Sequence, residues 1–333
     1  MTGSLSPARV VIRAPNWLGD VILSLPAVRD VRRAFPGARI SVMARPSVAA
    51  LYEAVPEIDA VITASGFVQE VRSVRSAHSR FDLAILLTNS MGTALAVAVA
   101  GVPERWGYAT EGRSALLTRS APVPASVRGR SQVDYYRAML AAMGVSTSDG
   151  LDTSLTPLPA WKGAARGLLG EGRIVGIAPG AAKGSAKQWL PDRFAETADR
   201  LSAELGARAV LVGAPADGPA AQAVASAMSS TPINLCGQTD LRTFVGVISC
   251  LDALVANDSG AMHLGAALGI PTLGVFGPTM ADETHPVGKK AVYVRGVAEC
   301  SPCKHVDCPI DHRCMTSVSS SVVVDTLLRE VRS

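Results

Sequence analysis

Short apolar runs alternate with stretches of helical spacing along most of the chain. Arg9–Ala14 (RVVIRA), Ala38–Ala44, Ala60–Ala64 and Phe81–Thr88 have the length and continuous apolarity of buried strands. Val21–Phe35 and Ser90–Ala100 have helical spacing, and Pro36-Gly37 stops the first of them. Ser131–Met143 adds a helix that Gly144 ends. A polar, proline-bearing stretch, Ser146–Ala160, reads as a linker. The alternation then restarts with strand Arg173–Pro179, helix Pro191–Leu205, strand Arg208–Gly213, helix Gly218–Met228, strand Ile233–Cys236 and helix Leu241–Ser249. Such alternation predicts doubly wound parallel sheets, one in each half.

Residues 253–279 carry the densest signal. Ala253–Ala256 is a strand, Asn257-Asp258-Ser259-Gly260 a turn with helix-capping chemistry, Ala261–Leu268 a short helix ended by Gly269, and Pro271–Phe276 a second strand. A strand that turns directly into a helix points free N–H groups at the carboxyl edge of a parallel sheet, where anions bind. A tidily capped packing unit reads equally well from this pattern. His263 falls in the first helical turn, where a lone histidine is more often packed than functional.

Two further loops follow first strands. Pro15-Asn16-Trp17-Leu18-Gly19-Asp20 puts the Asp20 carboxylate above the carboxyl ends of the first sheet, or simply at the cap of the next helix. Gly180–Lys187 is a small-residue loop with two lysines. It lacks the order of a P-loop, yet lets backbone approach a ligand, and Lys187 can add charge to a diphosphate. Asp217, in the turn after Gly213, is a candidate for ribose hydroxyls, though turns favour aspartate anyway. Residues 105–130 read as a loop or hairpin in which Arg105, Arg113, Arg119, Arg128 and Arg130 face one acid, Glu111. They make a solvated loop or an acceptor-binding surface.

Composition narrows the class. At 333 residues with 48% hydrophobic and 18% charged side chains, two folded domains are expected. A net charge of +4 suits an anionic ligand or membrane surface and is too small for a nucleic-acid partner. The apolar segment Ala94–Val102 is too short to span a bilayer and reads as a buried helix. No secretory pattern opens the chain, so a cytoplasmic location is expected, with peripheral contact at the inner leaflet left open. No G-x-G-x-x-G follows either first strand, which disfavours a nicotinamide dehydrogenase.

Four of the six cysteines cluster as Cys300-x2-Cys303-x4-Cys308-x5-Cys314, with His305 and His312 among them. The spacing is tighter than in zinc ribbons, and a reducing compartment disfavours disulfides. The cluster reads as a structural loop. A metal site is the alternative.

Three separated motifs resemble one family. They are R-A-P-N-W-L-G-D around Asp20, P-G-A-x-x-G-x-A-K-x-W around Lys187, and D-S-G-x-x-H-L-x-A-A-L-G-x-P-T-L-x-x-F-G-P-T from Asp258. Together they are similar to the bacterial ADP-heptose:lipopolysaccharide heptosyltransferases of glycosyltransferase family 9, and most to the members that add the second heptose. The resemblance implies a GT-B fold, two Rossmann-like domains facing each other across a cleft: residues 1–160 for the acceptor, residues 161–316 for the ADP-sugar, and a helix at 317–333 crossing back to the first. It implies an inverting transfer that requires no metal or other cofactor. The donor would be ADP-heptose and the acceptor a Kdo-containing lipid A core already bearing a heptose. Asp20 would be the catalytic base, with Asn16, Trp17 and Gly19 on the acceptor side. Lys187, Ser185, Asp258, Ser259, Gly260, Ala261, His263 and Asp217 would hold the donor, with Asp258 capping the helix. Ser185 stands where the family often carries hydroxyls, beside Ala181 and Ala182. A family 9 enzyme with another donor or acceptor is the nearer alternative, and a non-enzymatic zinc-binding module the remoter one.

Overall fold

The computed structural model describes residues 6–76, 80–148, 150–182 and 184–333; Lys183, one of the two lysines of the small-residue loop, lies outside them. The chain divides into two compact units, Met1–Thr153 and Ser154–Ser333.

The first unit runs β1 (Arg9–Arg13), α1 (Leu18–Ala34), β2 (Arg39–Ala44), α2 (Pro46–Ala49), β3 (Ala60–Thr63), α3 (Phe67–Ser76), β4 (Leu83–Leu86), α4 (Met91–Val99), β5 (Glu104–Tyr108), β6 (Arg119–Ala121) and α5 (Gln132–Ala142). Its strands pair in parallel in the order β3-β2-β1-β4-β5-β6. The order reverses between β1 and β4, so the turns after these two strands flank the crevice where open sheets take ligands. Residues 105–130 are not the loop or hairpin expected. Trp106 and Tyr108 alternate inward on β5, and β6 joins it in parallel rather than antiparallel.

The second unit continues with α6 (Pro159–Leu169), β7 (Arg173–Ala178), α7 (Pro191–Leu205), β8 (Ala207–Leu211), α8 (Gly218–Ala227), β9 (Ile233–Asn234), α9 (Leu241–Ser249), β10 (Ala253–Asn257), α10 (Gly260–Ala267), β11 (Thr272–Phe276), α11 (Ala281–Thr284), β12 (Ala291–Arg295), α12 (Arg313–Thr316) and α13 (Ser320–Arg332). Its order, β12-β11-β10-β7-β8-β9, is again wholly parallel and reverses between β7 and β10. The core between α7, α13 and this sheet gathers Phe194, Leu201, Val255, Val275, Val323 and Leu327.

Two boundaries differ from expectation. The linker is shorter, because Pro159 starts α6 at a position where its missing N–H costs nothing, and Trp161, Ala165 and Leu169 bury one face of that helix. The second unit runs on through the last helix: α13 packs on α7, β11 and β12. Among the described residues no helix is long and apolar enough to cross a membrane.

Candidate active site

In the second unit, the turns after β7 and β10 lie side by side at the strand-order reversal. Asn257, the fully buried last residue of β10, joins them. Its amide Nδ2 donates to Pro179 O at 2.8 Å and Gly180 O at 3.3 Å, and its Oδ1 accepts from Trp189 N at 3.0 Å. Both ends of the small-residue loop are thereby tied to one side chain. Gly180 must be glycine for a close approach, since a Cβ there would stand 2.0 Å from Cγ of Asp217. Asp217 thus sits under the loop, its Oδ2 accepting from Ala214 N at 2.8 Å.

Lys187 projects from this loop and its Nζ donates to Asp258 Oδ2 at 2.7 Å. The carboxylate is 6% exposed and the lysine 24%. Asp258 therefore does not cap α10, as expected of it. The N-cap is Ser259, whose side chain makes no capping bond. The first-turn amides, including those of Gly260 and Ala261, have no intrahelical acceptor, and the positive end of the helix faces the same edge.

His263 is buried one turn into α10. Burial pulls its pKa from 6.5 down to about 4; the Lys187 and His285 charges add to the fall and Asp258 opposes it. The imidazole is therefore neutral at pH 7, one ring nitrogen a donor and the other an acceptor. Its Nδ1 has no hydrogen-bond partner. Neither does Ser259 Oγ, nor Thr279 Oγ1 in the Gly277-Pro278-Thr279 turn that leaves β11, although all three atoms are buried. Buried polar atoms are normally satisfied, and these three, at the ends of β10 and β11 beside Lys187 and the helix amides, leave hydrogen-bonding capacity that a polar ligand would fill. Asn257 and Thr279 were not singled out from sequence. Asn257 does its work through tertiary contacts, and Thr279 carried a signal in its motif that was read only as a turn.

Ser185 is not free for a ligand: its N and Oγ both donate to Asp307 Oδ1, at 3.0 and 2.8 Å. The adjoining Ala186 N donates to Val306 O at 3.0 Å, and Gly184, at φ 100°, has Val306 O where a Cβ would be. The same cysteine-rich segment reaches the β11 turn, with Ser301 Oγ on Gly277 O at 2.5 Å and Cys303 N on Pro278 O at 3.1 Å. It straps both ligand-edge loops together. Cys300, Cys303, Cys308 and Cys314 line one small cavity beneath the strap. Among the described residues no three His, Cys, Asp or Glu side chains are gathered to hold a metal ion.

In the first unit, Asp20 lies in the first turn of α1, which begins at Leu18, three residues earlier than expected, with Gly19 inside it. Asp20 is thus a helical residue rather than the cap. It is half-buried, and its charge helps to raise the pKa of the buried Tyr136 on α5, after burial itself. The preceding turn is set by Arg13, 2% exposed, which pairs with Glu70 at 2.8 Å and donates to Asn16 Oδ1 at 3.2 Å. Trp17 is the helix N-cap and is 49% exposed. Three of the five arginines expected at an acceptor surface are used internally. Arg105 donates to Leu116 O and Val102 O, Arg113 is fully buried on Tyr108 O and Thr88 O, and Arg119 stacks 5.0 Å over Trp106.

Two doubly wound parallel units, one with a lysine, helix amides and orphaned hydroxyls along its carboxyl edge, define the architecture of a GT-B nucleotide-sugar transferase. The profile of glycosyltransferase family 9 (heptosyltransferase) matches residues 71–313, and the chain belongs to that family. It is 31% identical over 307 residues to lipopolysaccharide heptosyltransferase 2 of Salmonella typhimurium, an alignment covering 86% of this chain and 88% of the relative. Against lipooligosaccharide heptosyltransferase 2 of Haemophilus ducreyi it is 30% identical over 313 residues, with the same coverage of 86% and 88%. The solved structure of the Escherichia coli ADP-heptose lipopolysaccharide heptosyltransferase II superposes with a TM-score of 0.84 at 26% identity, covering 97% of this chain and 98% of that one.

Proposed function

We propose that this chain transfers heptose from ADP-L-glycero-D-manno-heptose to the heptosyl-Kdo-lipid A inner core, with inversion at the anomeric carbon and without a metal, at the cytoplasmic face of the inner membrane. The observation that carries the donor half of this reading is the convergence of Lys187, the α10 amides and the unpartnered Ser259 Oγ, His263 Nδ1 and Thr279 Oγ1 on one sheet edge. The names of the relatives supply the sugar and the acceptor.

The chemistry needs three things. Donor and acceptor must be held close. The acceptor hydroxyl must lose its proton, for which Asp20 is the base. The departing diphosphate must be stabilised as the C1–O bond breaks, which falls to Lys187 and the helix amides. Asp258 holds Lys187 in place and orients the sugar. Neutral His263 gives the donor one hydrogen bond without adding charge. Asp217, whose carboxylate packs under Gly180, would accept from a ribose hydroxyl beside the loop. Asn16, Trp17 and Gly19 line the acceptor side. Direct attack of the deprotonated hydroxyl inverts the anomeric centre.

The test is Asp20→Asn assayed for both transfer and ADP binding. Transfer should fall by about 10²–10⁴-fold, the worth of a general base, with ADP affinity by calorimetry unchanged. Retained transfer, or equal loss of both, rejects Asp20 as the base.

A further inference from the structure

Helix α4 is apolar on the wrong side as well as the right one. Ala94 and Val97 point into the core formed with Val11, Ala84 and Leu86. Met91, Leu95 and Val99 recur at intervals of four on the opposite face, and are 39%, 39% and 42% exposed. The expectation of a buried helix over Ala94–Val102 holds for one face only. From Met91 to Pro103 the sequence contains no charged residue. A surface helix of a soluble domain ordinarily turns a charged face to water.

The neighbouring α3 extends the patch. Arg75 Nη2 donates to Val99 O at 2.7 Å, so the two helices end together and run side by side in the same direction. Phe67 and Val68, 42% and 59% exposed, start α3 at the Met91 end. Exposed arginines edge the two helices. Arg72 and Arg75 are exposed on α3, and Arg75 and Arg80 line a cleft with Phe81 and Val99 at the far end. The acid of α3, Glu70, is buried on Arg13, so neither helix exposes a carboxylate; the exposed Glu111 adjoins Gly112, which faces Met91 at the start of α4. An uncharged stripe edged by arginines matches an anionic lipid surface, with apolar side chains entering the acyl boundary and guanidinium groups meeting phosphates. The placement suits the chemistry. α4 begins at Met91, directly after the β4 turn that flanks the first unit's switch point.

We propose that the outer face of α4, with the start of α3, is the surface by which this enzyme docks on an anionic phospholipid bilayer, bringing the first unit's ligand edge to a lipid-anchored acceptor. The acceptor clause rests on the function proposed above; the docking does not.

Co-sedimentation of the full chain with phosphatidylcholine vesicles, with and without 30 mol% phosphatidylglycerol (about a third anionic, in the range of inner-leaflet-like mixtures), tests it. The wild type should bind the anionic vesicles, less so at high salt, and Leu95→Glu and Arg72→Glu should each weaken binding by about tenfold. Neither residue belongs to the proposed machinery, so both variants should keep wild-type ADP affinity and transfer to a detergent-solubilised acceptor. Absence of wild-type binding, or binding untouched by both substitutions, overturns the proposal. A wild-type dimer in sedimentation that Leu95→Glu dissolves, without vesicle binding, assigns the stripe to a second copy and also overturns it. Intact vesicle binding without heptose transfer would instead sink the function reading alone.

Discussion

Lys187 and Asp258 change the electrostatics expected of the donor site. A lysine facing a diphosphate alone would lend its whole charge. Here its ammonium is already 2.7 Å from a carboxylate that is 6% exposed. Lys187→Ala should therefore have two effects. ADP binding should weaken, and folding should lose about 2 kcal/mol, because a buried carboxylate is left without its counter-ion; the figure sits below that of a fully buried pair since Lys187 is a quarter exposed. Asp258→Asn in the Lys187→Ala background should return most of the stability but not the ADP affinity, as read by urea titration and calorimetry. If the double variant is no more stable than Lys187→Ala, the pair is not what holds Asp258. His263 makes a second prediction with a definite sign. Its pKa falls from 6.5 to about 4 on folding. The unfolded chain therefore binds the extra proton between these values, and stability must drop as pH falls through that window. The full cost is about 3 kcal/mol from a shift of this size. His263→Gln removes it, so the stability gap between wild type and variant should narrow from pH 7 to pH 4. A gap constant with pH would mean that His263 is charged in the folded protein or is not buried.

The cysteine-rich strap acts at the scale of elements. Through Asp307 and Val306 it holds the Gly184–Lys187 turn, and through Ser301 and Cys303 it holds the turn after β11. Asp307→Ala should loosen Ser185 and Ala186. Hydrogen exchange should quicken at residues 184–188, and ADP affinity should fall several-fold with the sheet amides of β7 and β10 unaffected. Unchanged exchange at 184–188 would show that Asp307 does not hold the loop and that Val306 O and Asn257 suffice. Such long-range ties explain what the sequence could and could not convey. The βα motifs at Asp20, Lys187 and Asp258 were legible because strand, turn and helix are consecutive there and the site lies at strand ends by topology. The contacts Lys187–Asp258 and Ser185–Asp307 join residues 71 and 122 positions apart, and no local pattern encodes them. The strand β5 was masked by Gly107 and by Arg105, a charged residue that serves as an internal donor to backbone carbonyls. β12, AVYVR, has the apolar run of a strand in Ala291–Val294, yet it is a half-exposed edge strand and no turn-and-helix motif follows it to mark it. α6 hid behind the prolines that look like a linker and in fact start a helix.

At the scale of the whole molecule, the groups proposed for binding and for proton transfer belong to different folded units. Lys187, Ser259 and His263 sit at the switch point of the second unit's sheet with Thr279 at the end of the adjoining β11, and Asp20 sits at the switch point of the first. Each unit has its own core and its own parallel sheet. Ligand binding energy from ADP should accordingly be deposited in the second unit first. At a concentration of 100 Kd it amounts to about 2.7 kcal/mol of stabilisation for the unit that binds. Hydrogen exchange with saturating ADP should slow most at residues 178–189 and 257–263 and at the β10 and β7 amides behind them. The β1 and β4 amides and the first turn of α1 should gain far less. The same experiment on Asp20→Asn should give the same map, because Asp20 contributes to the transfer step and not to nucleotide affinity. Protection centred on residues 10–20 in the presence of ADP would place the nucleotide in the first unit and reverse the roles of the two sheets.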